Sequence, residues 1–104
     1  MKFFGYQLVQ IRGGSMAPLL PDGAFALFRK RSEIKLGQIV LVRHPRFGLI
    51  VKCICSIELD GVSLKGLSSA STSTERLGRI KPENIVGRLI WHDGQCDALY
   101  GPQI

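Results

Sequence analysis

At 104 residues the chain has room for one hydrophobic core, and a single domain spanning 1–104 is expected. Hydrophobic residues make up 45 % and charged residues 21 %, a balance that excludes an intrinsically disordered chain. Fourteen Lys+Arg against eight Asp+Glu give a formal charge of +6, which allows nucleic acid, an anionic surface or an acidic substrate as partner.

The chain then reads as a series of short strands. Tyr6–Ile11 is a first strand, broken by Arg12-Gly13-Gly14. "PLLPDG", Pro18 to Gly23, carries two prolines and an Asp-Gly, so a turn is expected, with one helical turn before it. Ala24–Arg29 is apolar and strand-like, with Phe25 and Phe28 read as facing a core. The basic run that follows, Arg29-Lys30-Arg31, has only Phe28 as an aromatic neighbour. A solvated face is expected there, and no nucleic-acid partner.

Ser32–Gly37 is a connector. Gln38–Arg43 and Leu49–Ile57 are β-rich runs separated by His44-Pro45-Arg46-Phe47-Gly48, the pattern of a β-hairpin. Asp60-Gly61 marks a second hairpin between "SIEL" and "VSLK". Leu67–Leu77 is a polar loop of serines and threonines, and Ile85–Trp91 is a last apolar strand. No segment holds the helical apolar period, so the fold expected is all-β, a small barrel or sandwich-like coil of strands.

No apolar run approaches the roughly 20 residues of a membrane span. The N-terminal "MKFFGYQLVQIR" has neither a continuous apolar stretch nor a small-residue cleavage site, so it does not read as a signal peptide. A soluble, cytoplasmic protein is expected. Cys53, Cys55 and Cys96 are too few for a disulfide framework and read as small buried or half-buried residues. No cofactor or metal is expected, since only His44 and His92 could supplement the thiols. Both histidines read as ordinary surface or turn residues.

Among titratable groups Lys52 stands out as the one charge inside the apolar strand "GLIVKCICSI". Such a lysine either reaches a sheet edge, where its stem snorkels to water, or is buried for a purpose. Burial disfavours the ammonium form, and a general base at neutral pH needs a pKa of about 7–8. A neutral Lys52 amine can then take the proton from a serine hydroxyl as it attacks a peptide carbonyl.

The arrangement Gly13, Ser15, Met16, Pro18, Leu20 and Gly23 fills the pattern GxSMxPxLxxG. It resembles the catalytic-serine box of the type I signal peptidase family. "IVKCI" around Lys52 resembles that family's general-base box, and "SxSTERLGRIKPENIVGR", Ser71 to Arg88, resembles its last box, SxDSRxxG followed by a strand ending in VGR. The three come in the family's order. The resemblance implies a coiled β-sheet or partly open barrel carrying a serine endopeptidase with a Ser-Lys dyad. Ser15 would be the nucleophile, Lys52 the general base and Ser71 a hydrogen-bonding support for the lysine amine. Gly13, Gly14 and Met16 would serve the oxyanion hole and substrate binding. Many members carry a hydroxyl two residues before the nucleophile, where this chain has Gly13. Ser73, Thr74 and Glu75 replace the Asp, Ser and Arg of the last box, and the usual Gly-Asp appears reversed as Asp22-Gly23.

The family's membrane anchor and large inserted β-domain have no counterpart in this sequence. The dyad spacing of 37 residues is similar to that of the self-cleaving LexA-type repressors, which share the fold and the chemistry. They lack the proline after Ser-Met and carry a DNA-binding domain or cleavable arm, for which fourteen residues before Ser15 leave little space. The compact soluble branch that includes the maturation proteases of nickel-type superoxide dismutase is similar in length. It implies removal of an N-terminal leader after a small residue, with a nickel superoxide dismutase precursor as the most specific substrate. The alternative is a non-catalytic or self-cleaving LexA-like regulatory module on the same fold.

Overall fold

Ten short elements follow one another in the computed structural model, which describes residues 2–30, 33–68 and 74–94. Strands β1 (Lys2–Phe3), β2 (Tyr6–Gln10), β3 (Phe25–Arg29), β4 (Ile39–His44), β5 (Gly48–Glu58) and β6 (Gly61–Lys65) precede the helical turn α1 (Thr74–Leu77). Strand β7 (Arg79–Ile80), a 3-10 turn (Pro82–Asn84) and β8 (Ile85–His92) complete the order. The fold is all-β: one antiparallel sheet in the order β1-β2-β3-β8-β4-β5-β6-β7. No helix among the described residues is long and apolar enough to cross a membrane.

The apolar pattern of each strand sets its place. β3 alternates, with Ala26 and Phe28 buried and Phe25 turned outward, so only one of the two phenylalanines faces the core as expected. β4 is apolar without alternation because both of its faces are covered. Leu41 packs in one cluster with Met16, Leu20 and Phe28. Val40 and Val42 pack in a second, with Ile54, Leu64 and Leu77.

A single sheet reaches two cores only by coiling. β-bulges supply the bends: Cys55 is the extra residue between the pairs Ile54↔Leu64 and Ser56↔Ser63. On β8, Val86 falls between the partners of Leu41 and Val42, and Ile90 between those of Leu27 and Phe28. Gly87 lets β8 close onto β3, since a Cβ there would meet the carbonyl oxygen of Arg29 at 2.7 Å. Of the expected cysteines, Cys53 is buried and Cys55 half-buried, while Cys96 lies outside the described residues.

The hairpins read from sequence are present within a residue or two. β4 and β5 pair from Ile39↔Cys53 to His44↔Gly48, and β5 and β6 from Cys53↔Lys65 to Glu58↔Gly61. The expected Leu67–Leu77 loop differs at its end, where Thr74–Leu77 makes a helical turn and buries Leu77. β6 meets β5 only from Cys53 onward, so among the described residues Gly48–Lys52 of β5 is a sheet edge. β1 pairs only with Tyr6 and Gln7, which leaves Val9 and Gln10 of β2 as a second edge.

Candidate active site

Between these two edges opens a cleft of about 310 Å³. Gly13, Gly14, Ser15 and Met16 line it from the corner after β2, and Lys52 lines it from β5. Its remaining wall is largely apolar, with Val9, Ile11, Leu41, Phe47, Leu49 and Leu77. All the site residues expected from sequence that fall within the described residues therefore border one cavity. Ser71 lies outside the described residues.

The corner is built by a loop closed at its base. Ile11 donates to the Ala24 carbonyl at 2.7 Å, and Gly23 donates back to Ile11 at 2.8 Å. Gly13 has a φ of 83°, a left-handed conformation that glycine adopts without the penalty a side chain incurs. Its N–H donates to Asp22 Oδ1 at 2.7 Å. Beyond it the chain coils: Ala17 donates to Gly14 and Leu20 to Met16, at 3.1 and 2.9 Å. Met16 and Leu20 are buried in the first core cluster and anchor the coil. Met16 is thus a core residue on the cleft's floor.

Ser15 is half-buried between exposed Gly14 and buried Met16. Its carbonyl accepts from Leu67 and Ser68, at 2.8 and 2.9 Å, which ties down the backbone of the residue that bears the hydroxyl. The N–H groups of Gly14 and Ser15 have no hydrogen-bond acceptor among the described residues. Gly13 is different, because Asp22 occupies its donor. Two neighbouring N–H groups beside a hydroxyl are the donors an oxyanion requires.

Lys52 is 4 % exposed and sits opposite Val40 within the ladder to β4. The reading of an edge lysine whose stem snorkels to water fails. Its strand does have an edge here, but the side chain is turned inward. Burial pushes its pKa down from the ordinary 10.5. The ion pairs among the described residues are Lys35–Glu33 and those of Arg79 with Glu58 and Asp60, so no carboxylate offsets that burial. The shift favours the neutral amine, which is the form that removes a proton.

Sequence reasoning missed two residues. His44 is not a surface histidine: it is 4 % exposed and joins two walls of the cleft. Its Nδ1 accepts from the N–H groups of Arg46 and Phe47, at 3.0 and 3.2 Å, so Nε2 carries the proton. Nε2 donates to the Leu77 carbonyl at 2.8 Å, and the ring lies 4.8 Å from that of Phe47. Asp22 reads as a turn aspartate, yet it clamps Gly13, two residues before Ser15. A histidine two residues before the turn's donor was the available signal for the first, while nothing local pointed to the second.

Two described residues, one on either side of positions 69–73, meet the site. The Ser68 N–H donates to the Ser15 carbonyl, and Leu77 lines the cleft. A family model described as Peptidase S24-like matches residues 5–90. No curated protein and no solved structure matches the chain.

Proposed function

The chain belongs to the Peptidase S24-like family, and from that premise we propose that it is a serine endopeptidase working through a Ser15–Lys52 dyad. The observation that carries the reading is Lys52 itself, a buried lysine without a counter-ion among the described residues that opens into the cleft of Ser15. The neutral Lys52 amine takes the Ser15 proton as Oγ bonds to the scissile carbonyl carbon. The negative charge that forms on the carbonyl oxygen is met by the N–H groups of Ser15 and Gly14. Lys52 then returns its proton to the departing amine as the C–N bond breaks. Water releases the acyl group by the same steps in reverse roles, and Ser71 supports the lysine amine.

Substrate binding follows from the two sheet edges. An extended peptide can add as a strand between Val9–Gln10 and Leu49–Lys52, with main-chain hydrogen bonds setting its register. The apolar wall of Phe47, Leu49 and Leu77 then receives the side chain before the cut, a small one by the resemblance to signal peptidases. We read the biological role as removal of an N-terminal leader from a cytoplasmic precursor, with the nickel superoxide dismutase precursor as the specific substrate to try first.

The test uses purified protein and a leader-bearing precursor with alanine before the cut. Ser15→Ala and Lys52→Ala each abolish cleavage while circular dichroism stays that of the wild type. Undiminished cleavage by Lys52→Ala removes the dyad. No cleavage by the wild type, with the Lys52 amine titrating at its ordinary value by NMR, returns the chain to the reading of a non-catalytic module.

A further inference from the structure

A second cavity, of about 560 Å³, adjoins the cleft and has no part in the chemistry above. The β1–β2 hairpin forms one side and the start of β8 the other, with Arg43 of β4 between them. Lys2, Lys30 and Arg43 line it as exposed cations, none of them in an ion pair among the described residues. Among the described residues that line it, Glu83 is the one carboxylate. Phe3 and Phe4 edge the mouth. Phe4 is 95 % exposed and held at a φ of 48°, a conformation few bulky residues adopt.

The fold assembles this site from parts that the sequence keeps apart. Tyr6 pairs with Arg29, whose guanidinium lies over the ring at 5.9 Å, and Lys30 donates its N–H to Gly5 at 2.8 Å. Aromatic side chains absent from the neighbourhood of the basic run in sequence thus reach it in space. Gln7, on the cavity wall, has its Oε1 buried with no hydrogen-bond partner among the described residues.

Cavity and cleft approach each other at two places. Gln7 of the cavity and Val9 of the cleft are two residues apart on β2, about 7 Å. Arg43 of the cavity faces Leu49 of the cleft across the β4–β5 ladder. An extended chain leaving the cleft past Val9 and Leu49 arrives at these three cations.

We propose that the second cavity is an exosite that binds an acidic segment of the protein substrate, roughly four to six residues from the bond that is cut. The cations meet its carboxylates, Asn84 meets its backbone, and Phe3 and Phe4 cover an apolar neighbour. Peptide is the favoured occupant because the cleft's two open sheet edges guide an extended backbone toward the cavity. Phe3 and Phe4 also offer aromatic surface to a base, which is why oligothymidine is an arm of the test. The word "substrate" rests on the protease reading, but the preference for an acidic peptide does not.

The experiment uses Ser15→Ala protein and fluorescein-labelled dodecapeptides with a central alanine, carrying three glutamates or three glutamines at either end. One of the two glutamate peptides binds about tenfold tighter than its glutamine counterpart at low salt, and the gap closes at high salt. The double variant Lys30→Glu/Arg43→Glu abolishes the preference without changing affinity for the glutamine peptides. Equal binding of glutamate and glutamine peptides, or a preference that survives the double variant, overturns the exosite. So does a competing oligothymidine or anionic phosphatidylglycerol vesicle that binds more tightly and through the same two residues. Cleavage of the same peptides by wild-type protein separates the two claims. Preference without cleavage keeps the exosite and sinks the protease, whereas cleavage without preference does the opposite.

Discussion

The two members of the proposed dyad stand in opposite kinds of structure. Ser15 lies in an irregular, glycine-built corner, held from outside by Asp22, by the N–H groups of Leu67 and Ser68, and by the anchors Met16 and Leu20. Lys52 lies in an eleven-residue strand, fixed by a continuous ladder to β4 and buried without a carboxylate in salt-bridge reach among the described residues. The corner supplies access and free N–H donors, whereas the strand supplies desolvation. Geometry on the serine side therefore hangs on a few replaceable contacts, while chemistry on the lysine side hangs on burial that many residues share.

Lys52→Met tests the strand side and carries the largest expected effect. Removing a general base lowers kcat by about 10²–10⁴-fold, yet methionine fills the space without burying a charge. Stability is expected to equal or exceed that of the wild type by roughly 1 kcal/mol near neutral pH. The pH dependence has a definite sign. Folding lowers the Lys52 pKa below 10.5, so between that lowered value and 10.5 the unfolded chain holds more protons than the native one. Wild-type stability rises with pH through this window, and its deficit against Lys52→Met closes as pH nears 10.5. Cleavage rises with pH through the lowered pKa for the same reason, since the neutral amine is the base. Thermal denaturation of both proteins over a pH series measures this. A wild type that loses ground to the variant as pH rises would mean that Lys52 has a stabilising anionic partner.

Why the strand was legible and the corner only partly so follows from the same contrast. Apolar runs and turn residues mark β2 to β6 and β8 because burial on a pleated sheet leaves a local pattern. Lys52 announced itself as a charge breaking such a run. The position of β8 between β3 and β4 left no local mark, and neither did the bulges at Cys55, Val86 and Ile90, because pairing partners distant in sequence determine both. The serine corner could be read only through its motif, GxSMxPxLxxG. The Asp22 clamp spans nine residues and pairs two groups that each look like ordinary turn residues. His44 was misread for a related reason: its partner Leu77 is 33 residues away, in a stretch that reads as loop.

Asp22 and Gly13 test the corner side. Asp22→Ala frees the Gly13 N–H and lets the corner relax, lowering kcat by about 10- to 100-fold as the hydroxyl drifts from its attack geometry. Stability falls by only about 1 kcal/mol, one exposed hydrogen bond. Asp22→Asn keeps an acceptor oxygen and restores most of the rate, a rescue that steady-state kinetics can read. Gly13→Ser inserts the hydroxyl that many signal peptidases carry at this position. At a φ of 83° a serine costs about 1–2 kcal/mol, although its Cβ meets no atom within 4 Å. The backbone here is therefore set for glycine, and the variant is expected to be less stable and no faster. A faster Gly13→Ser enzyme would show that the corner tolerates the hydroxyl and lacks a donor without it.

The smallest effect belongs to His44, which touches neither dyad member and ties the strand side to the segment flanking Ser71. Its two ring nitrogens can be tested separately. In His44→Asn the new side chain offers Oδ1 to the Arg46 N–H two residues on, as asparagine does in turns, but does not reach Leu77. In His44→Gln the side chain is long enough to donate to the Leu77 carbonyl while losing the turn. His44→Asn therefore keeps the Phe47 wall and releases Leu77, and a severalfold loss in kcat with KM little changed is expected. His44→Gln keeps Leu77 and loosens Phe47, which raises KM with kcat little changed. Each leaves a buried group unsatisfied and costs about 1–3 kcal/mol, so both are assayed well below their melting temperatures. A merely structural histidine lowers the active fraction and leaves KM alone in both variants. The separate movements of kcat and KM are what would make His44 a positioning residue, coupling the Phe47 wall of the cleft to Leu77.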